Sequence, residues 1–261
     1  MKTINFAKKI RLESLKMVYE SKASHIGSAL SISDIIAVLY NDILNFNSNN
    51  PKWEKRDRFI LSKGHACVAL YSALGLKKFF NRKLFKTYTN KNSILMSHVS
   101  HKVPGVEFST GSLGQGLPFA VGKAFYAKKN NKTWKTFALL SDGELNEGSN
   151  WESIFFAGYH KLENLTIIID NNKIQGMGNT NEILNIEPYL SKLPKKEYEI
   201  IKVDGHNISQ LNKSLKIKSL KPKLVIANTI KGKGVNFMEN NNLWHYKNPD
   251  KIQYLQAVKS L

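Results

Sequence analysis

The sequence predicts an α/β fold in which a parallel β-sheet carries helices on both faces. Two continuous apolar runs, residues 137–140 and 165–169, are typical of strands buried on both sides. A helical pattern over about residues 150–161 separates them, which gives a βαβ unit of the usual length. The segments YEIIKVDG and KLVIANTI predict two further strands, with a helix over residues 207–220 between them.

The first half of the chain predicts two helices, a strand and two further helices. Apolar residues recur at helical spacing through residues 3–20 and 31–44, so we expect a helix in each stretch, with KASHIGSAL between them. RFILS at 58–62 predicts a short strand, and KGHACVALYSALGL, directly after it, predicts a helix. A further helix is expected over residues 117–129, after the glycine-rich segment GSLGQG.

Length and composition favour one domain in a reducing compartment. The 261 residues contain no linker rich in proline, glycine and serine, so we expect a single domain over residues 1–261. Cys67 is the single cysteine, which excludes an intramolecular disulfide and fits a cytoplasmic protein. No run approaches the roughly 18 to 20 apolar residues that span a bilayer, so we expect neither membrane insertion nor secretion.

The formal net charge of +19 raises the question of a nucleic-acid partner. Only four of the 39 basic residues are arginines, and the lysines are scattered along the whole chain. Proteins that bind bases and phosphates rely on arginine forks and on clustered basic stripes. We therefore expect no specific nucleic-acid binding and attribute the charge to compositional drift, with phosphorylated sugars or an acidic partner as suitable anions.

Two polar residues follow neighbouring strands of the βαβ unit. Asp142 falls at the carboxyl end of the first strand, and Asn172 falls just past the end of the second. The carboxyl ends of parallel strands share one edge of the sheet, where ligands bind. The Asp142 carboxylate, the Asn172 amide oxygen and the main-chain carbonyl of Ile174 would give Mg²⁺ three oxygen ligands, and a diphosphate and water would supply the rest.

The segment SDGELNEG, with NKI beginning 30 residues after its aspartate, resembles the thiamine-diphosphate fingerprint of transketolases. The family usually opens this motif with Gly-Asp-Gly, whereas Ser141 stands first here and Gly143 is retained. The segments SKGHACVALYSAL, VPGVEFSTGSLGQG, VDGHN and IKGKGVNFMENNNLWH also resemble transketolase segments, in the family's order. The resemblance runs from about residue 5 to the last residue and implies the diphosphate-binding domain of the thiamine-diphosphate-binding fold.

Four histidines lie in motifs that the family uses. The resemblance implies that His65 and His245 reach the cofactor diphosphate and the reacting sugar, while His25 and His98 contact the hydroxyls and carbonyl of a bound ketose. Imidazole suits both tasks, because it donates to an oxyanion and relays a proton near neutral pH. The family more often has His-Pro-Gly where this chain has His-Ile-Gly at residues 25–27. The remaining histidines, His101, His160 and His206, are interpreted as structural.

A glycine loop and two acidic residues complete the predicted site. By resemblance, main-chain groups of Gly111 and Leu113 contact the cofactor, and Gly143 lets the backbone pass close to the diphosphate. Glu147 and Glu152 correspond to an acidic network near a subunit interface, linked to the glutamate that activates the cofactor. Both could instead be solvated charges at a helix start.

The resemblance implies that the activating glutamate lies in a pyrimidine-binding domain that residues 1–261 do not contain. We therefore expect a separate C-terminal subunit carrying that domain and the one after it, and a heterotetramer of two chains of each type. Together they would use thiamine diphosphate and Mg²⁺ to move a two-carbon ketol unit from a ketose phosphate to an aldose phosphate, as in the pentose phosphate pathway.

Three alternatives remain open. The chain could act on an unusual sugar in a biosynthetic pathway, or it could be the α subunit of another thiamine-diphosphate enzyme of the 2-oxo acid dehydrogenase type. It could also be a non-catalytic basic binding protein. The segments SKGHA and GSLGQG disfavour the second alternative, and intact Asp142, Asn172 and His65 disfavour the third.

Overall fold

The computed structural model describes residues 1–261 and contains one five-stranded parallel sheet. The strands follow the order β1-β2-β3-β5-β4 across the sheet. Their bounds are β1 Arg58–Leu61, β2 Thr136–Ser141, β3 Leu165–Asn171, β4 Glu199–Asp204 and β5 Lys223–Asn228. The predicted fold class is confirmed, because every pair of neighbouring strands is parallel.

Ten α-helices surround the sheet or extend its loops. They are α1 Thr3–Ser21, α2 Ile26–Ser31, α3 Ser33–Val38, α4 Cys67–Leu76, α5 Gly116–Lys129, α6 Gly148–Tyr159, α7 Thr180–Ile183, α8 Glu187–Leu190, α9 Ile208–Lys216 and α10 Lys251–Ser260. Short 3₁₀ turns lie at Gly64–Ala66, Arg82–Thr87, Gly143–Asn146 and Asn242–His245, and a π-helical turn lies at Leu39–Ile43. No helix of this chain combines the length and the apolar character that crossing a membrane requires.

Strands β2 and β3 bury side chains on both faces of the sheet, as their continuous apolar runs predict. Along β2, Phe137 and Leu139 belong to one hydrophobic cluster, while Ala138 and Leu140 belong to another. The first cluster packs against α1, α3, α4 and α9, and the second packs against α5 and α6. Because side chains alternate along a strand, helices on both faces are needed to cover them.

The helix predictions differ from the structure at several places, among them the short helices α7 and α8, which were not predicted. Residues 26–31, expected as part of a connection, form α2, and the predicted helix over 31–44 is α3 followed by a π-helical turn. The predicted helix over 207–220 ends at Lys216, because Ile217 leaves the helical conformation with a ψ of 127°. Helix α10 was not predicted, although Asp250 and Gln253 form a capping box at its start.

Candidate active site

A cavity of about 200 Å³ opens at the carboxyl edge of the sheet. The predicted site residues that line it are His65, Leu113, Asp142, Gly143, Asn172, Ile174 and His245. Six further residues line it that the sequence did not single out for this role: Ser28, Lys63, Ser141, Gln175, Gly176 and Lys231. The cavity lies where the turns after β2 and β3 meet, which is the edge where open parallel sheets bind ligands.

The turns after β2 and β3 bring the three predicted metal ligands together. Asp142 Oδ2 accepts a hydrogen bond from Lys173 N at 2.6 Å, so the carboxylate of the first turn reaches the backbone of the second. Asn172 Oδ1 accepts from Ile174 N at 3.1 Å, which folds the second turn onto itself. Asp142 is only 8% exposed. Burial, and after it the charge of Asp170, raises the pKa of Asp142 to about 6. A cation beside this carboxylate would offset both effects.

Asp170, a residue that sequence reasoning missed, fixes the orientation of the Asn172 amide. It is fully buried at the end of β3, and its Oδ2 accepts a hydrogen bond from Asn172 Nδ2 at 2.9 Å. The same oxygen accepts from Lys63 Nζ at 2.5 Å and from Ser31 Oγ at 2.8 Å, while Thr229 Oγ1 donates to Oδ1. With its nitrogen held by Asp170, the Asn172 side chain presents oxygen rather than nitrogen toward the turn after β3.

Lys231 is the second residue that sequence reasoning missed. Its Nζ donates to the carbonyl oxygen of Ile174 at 3.1 Å and to that of Gln175 at 3.3 Å, and it lies 3.2 Å from His245 Nδ1. Burial, followed by the charge of Lys63, lowers the pKa of Lys231 to about 8. A carbonyl oxygen has two lone pairs, so Ile174 can bind Lys231 and still coordinate a metal. Both lysines stand inside motifs that the sequence did mark, Lys63 in SKGHA and Lys231 in IKGKG.

The four predicted histidines form one cluster at the cavity and its mouth. The ring centroid of His25 lies 5.4 Å from that of His65, 5.5 Å from His98 and 4.9 Å from His245. His25 N donates to the carbonyl oxygen of His245 at 2.9 Å, and His25 has a left-handed backbone with φ of 71°. A non-glycine residue with a left-handed backbone is uncommon, and at His25 this conformation orients the imidazole toward the other three rings.

Burial keeps these imidazoles in the neutral form. It is the largest cause that lowers the pKa of His25 to about 4 and that of His245 to about 3, with nearby cationic and histidine side chains adding to it. The pKa of His65 is well below its ordinary value for the same reason, reinforced by Lys63, and burial also lowers that of His98. A neutral imidazole carries one donor and one acceptor nitrogen, so each ring can donate to a ligand oxygen or accept a proton.

The glycine loop is attached to the turn after β2 through Glu144, a residue that the sequence analysis did not single out. Glu144 is fully buried, and its Oε1 accepts from Gly114 N at 3.0 Å and from Ser62 Oγ at 2.5 Å. Its Oε2 accepts from Ser141 N at 3.3 Å, and its own N–H donates to Ser141 Oγ at 3.2 Å. Ser141, where the family has glycine, therefore turns its hydroxyl toward the backbone of the next turn and has no left-handed φ.

Several predicted residues lie outside the cavity lining. His25, His98 and Gly111 stand at its mouth, and a Cβ added to Gly111 would lie 3.4 Å from His98 Cδ2. Glu147 is exposed beside Gly114, and Glu152 is exposed on α6, so this chain alone does not bring either carboxylate into the cavity.

The three histidines interpreted as structural also lie away from the cavity. His206 Nδ1 pairs with Asp34 at 2.8 Å, and its Nε2 accepts from Ile230 N at 2.8 Å. His160 packs on aromatic rings of α5 and α6, and His101 bonds Ser109.

Comparison with known proteins shows which family the chain belongs to. The sequence model described as "Transketolase, thiamine diphosphate binding domain" matches residues 3–252. The chain belongs to the transketolase family. It is an N-terminal transketolase-type subunit with a thiamine-diphosphate-binding fold, which confirms the family, the fold and the thiamine diphosphate cofactor predicted from the sequence.

Related family members fall into two length groups. One subunit of the apulose-4-phosphate transketolase of Phocaeicola vulgatus is 38% identical over 98% of this chain and 92% of its own length. The 6-deoxy-6-sulfo-D-fructose transketolase subunit SqwG of a Clostridium species is 35% identical over 97% of this chain and 93% of its own length. In contrast, the solved transketolase of Campylobacter jejuni matches 97% of this chain at 33% identity with a TM-score of 0.92, yet this chain spans only 41% of it.

The chemical groups that line the cavity fit thiamine diphosphate and a metal ion. Its lining combines the buried Asp142 carboxylate, which has no ion-pair partner, with carbonyl and amide oxygens, and these groups suit a hard cation. It also contains lysine and imidazole groups, which suit phosphate oxygens. Gly143 leaves no room for a side chain, because a Cβ there would lie 2.7 Å from Gln175 Cγ.

Proposed function

We propose that this chain is the diphosphate-binding subunit of a two-subunit transketolase that transfers a two-carbon ketol unit from a ketose phosphate to an aldose phosphate. The observation that carries the proposal is the convergence of Asp142, Asn172 and the Ile174 carbonyl on the cavity that His65 and His245 also line. One edge of the sheet thus offers metal ligands, cationic groups for phosphate and proton-relaying imidazoles. We also propose that residues 1–261 form a single domain.

Each group of residues has a distinct task in this proposal. Asp142, Asn172 and Ile174 would hold Mg²⁺, and main-chain groups of Gly111, Leu113 and Gly143 would contact the cofactor. Thiamine diphosphate supplies the carbon centre that accepts the two-carbon unit and stabilises its negative charge. Lys231 would neutralise phosphate charge beside the metal, since its ammonium faces the same turn as the metal ligands.

The histidines would handle the sugar. His65 and His245 line the cavity together with the proposed metal ligands, so their nitrogens would hold the reacting hydroxyls and move a proton to or from them. His25 and His98 lie at the mouth, where they would orient the rest of the ketose. The lowered pKa values of all four histidines suit contact with a sugar, because a neutral imidazole offers a hydroxyl group one donor and one acceptor nitrogen.

A separate C-terminal subunit is the proposed partner, in a heterotetramer with two copies of each chain. The relatives named as subunits are covered over 92% and 93% of their own length, whereas this chain spans 41% of the human transketolase. These two relatives of similar length both carry subunit names. Glu147, exposed beside Gly114 of the glycine loop, and Glu152, exposed on α6, would face the partner subunit that activates the cofactor.

The second candidate is a transketolase reaction on a specialised sugar instead of the pentose phosphates. It is favoured by the relatives named for apulose-4-phosphate and 6-deoxy-6-sulfo-D-fructose, which are 38% and 35% identical, against 32% for human transketolase. The deciding experiment assays the chain with its partner subunit on xylulose 5-phosphate, apulose 4-phosphate and 6-deoxy-6-sulfo-fructose as donors. A preference for xylulose 5-phosphate supports the first candidate, a preference for either other sugar supports the second, and decarboxylation of a 2-oxo acid without ketol transfer contradicts both.

A further inference from the structure

Gln175 carries a buried polar atom that the protein leaves without a partner. The residue lines the cavity at the carboxyl edge of the sheet, and its side-chain Nε2 is buried with no hydrogen bond. Buried polar groups in folded proteins almost always have a partner, so an exception inside a ligand cavity calls for a ligand atom. No motif of the sequence singles out this glutamine.

The backbone and stem of Gln175 are firmly held. Gln175 N donates to Gly178 O at 2.8 Å, and Gln175 O accepts from Lys231 Nζ at 3.3 Å. The side chain lies across Gly143, because a Cβ built there would be 2.7 Å from Gln175 Cγ and 2.9 Å from Cδ. The two turns that carry the metal ligands therefore hold the carboxamide between them, so its unpaired end is a fixed feature of the cavity.

The chemistry of the free atom selects the kind of ligand. An amide nitrogen donates and cannot coordinate a cation, so Nε2 is not a metal ligand. Both lysine ammonium groups of the cavity already donate to protein oxygens, Lys63 to Asp170 and Lys231 to two carbonyls. Nε2 of Gln175 is a neutral donor that remains available beside the proposed metal ligands, where the oxygens of a diphosphate would lie.

We propose that Gln175 is a further cofactor-binding residue whose Nε2 donates a hydrogen bond to an oxygen of the diphosphate of thiamine diphosphate. This proposal rests on the proposed function, since it requires the cofactor in this cavity. The proposal also gives Gly143 a second role. Any side chain at position 143 would displace Gln175, so the position of the glutamine depends on this glycine.

The test measures cofactor affinity, not turnover. Thiamine diphosphate with Mg²⁺, and separately thiamine, are titrated by calorimetry into the complex of the full chain with its C-terminal subunit. Gln175→Met keeps a stem that covers Gly143 and removes the donor, and Gln175→Glu keeps the shape and replaces the donor by a carboxylate. Gln256→Met, on the exposed face of α10, is the matched control. Melting temperatures check that every variant is folded.

We expect Gln175→Met to weaken thiamine diphosphate binding by about 10- to 100-fold, the range for a hydrogen bond to a charged group, and Gln175→Glu to weaken it at least as much. Thiamine, which lacks the diphosphate, should bind all variants within about twofold of wild type. Unchanged diphosphate affinity in both variants, or an equal loss for the two ligands, would overturn the role of Gln175. A wild-type complex that does not bind thiamine diphosphate at all would instead overturn the proposed function.

Discussion

Lys63 and Asp170 form a buried ion pair between the ends of β1 and β3, with side-chain exposures of 1% and 0%. The Asp170 oxygen that accepts a hydrogen bond from Lys63 also accepts one from the side-chain amide of the proposed metal ligand Asn172. The ion pair therefore links the SKGHA segment to the turn that carries the proposed metal ligand Asn172. Removing one partner of such a pair leaves an uncompensated charge in the interior.

Lys63→Met should accordingly lower the free energy of unfolding by about 3 to 5 kcal/mol. Urea denaturation at neutral pH measures the loss. Lys8→Met, at an exposed position of α1, is the matched control and should change stability by less than about 0.5 kcal/mol. Equal stability of the Lys63 variant and the control would show that the pair does not support the carboxyl edge.

Asp34 should give the chain a measurable acid sensitivity. Arg11 and His206 both donate to its carboxylate. Burial acts to raise the pKa of Asp34, but the hydrogen bonds from His206 and Arg11 outweigh it and lower the pKa below its ordinary value. Because the folded pKa is the lower one, this stabilisation is fully present above the unfolded pKa of about 3.9 and is lost as pH falls through the folded value.

Asp34→Asn should therefore cost about 2 kcal/mol of stability at pH 7, and this difference from wild type should shrink below about pH 4. Urea denaturation at a series of pH values measures both. Asp250→Asn, at an exposed helix cap that asparagine can replace, should show neither effect. A difference between Asp34→Asn and wild type that stays constant from pH 7 to pH 3 would contradict the assignment.

Asp142→Ala should abolish Mg²⁺-dependent binding of thiamine diphosphate in the assembled complex. Asp142 is the only carboxylate proposed for the metal, so its loss removes the one charged ligand that the protein supplies. Calorimetry with and without Mg²⁺ gives the affinity. Asp250→Ala, which loses only an exposed cap of α10, should bind as wild type does; unchanged affinity in the Asp142 variant would remove the metal assignment.

The strands, and the ligands that directly follow them, could be predicted from the sequence because both depend on short local patterns. The apolar runs of β2 and β3 place Asp142 and Asn172 at one edge, and the structure brings their turns together. Asp170 could not be assigned this way, because its partners Lys63 and Ser31 are 107 and 139 residues away along the chain. Glu144 could not be assigned for a similar reason: the hydrogen bonds that explain its burial come from loops distant in sequence.

His65→Ala should lower ketol transfer by at least about 100-fold in the assembled complex, because it removes a proton-relaying group from the cavity. His160→Ala is the matched control, since His160 packs on aromatic rings between α5 and α6, away from the cavity, and should leave activity within about twofold. Steady-state kinetics on both variants measures the contrast. Similar losses in the two would mean that the cluster around His25 has no special part in the reaction.

The most direct test of the split-subunit account is to compare the purified chain with a mixture of the chain and its C-terminal subunit, both given thiamine diphosphate and Mg²⁺. The isolated chain should transfer no ketol unit to ribose 5-phosphate from xylulose 5-phosphate or the specialised donors, and the mixture should transfer it from at least one of them. The partner should also tighten cofactor binding, and by linkage the cofactor should tighten the complex by the same factor. Turnover by the isolated chain at a rate that the partner does not change would contradict the account.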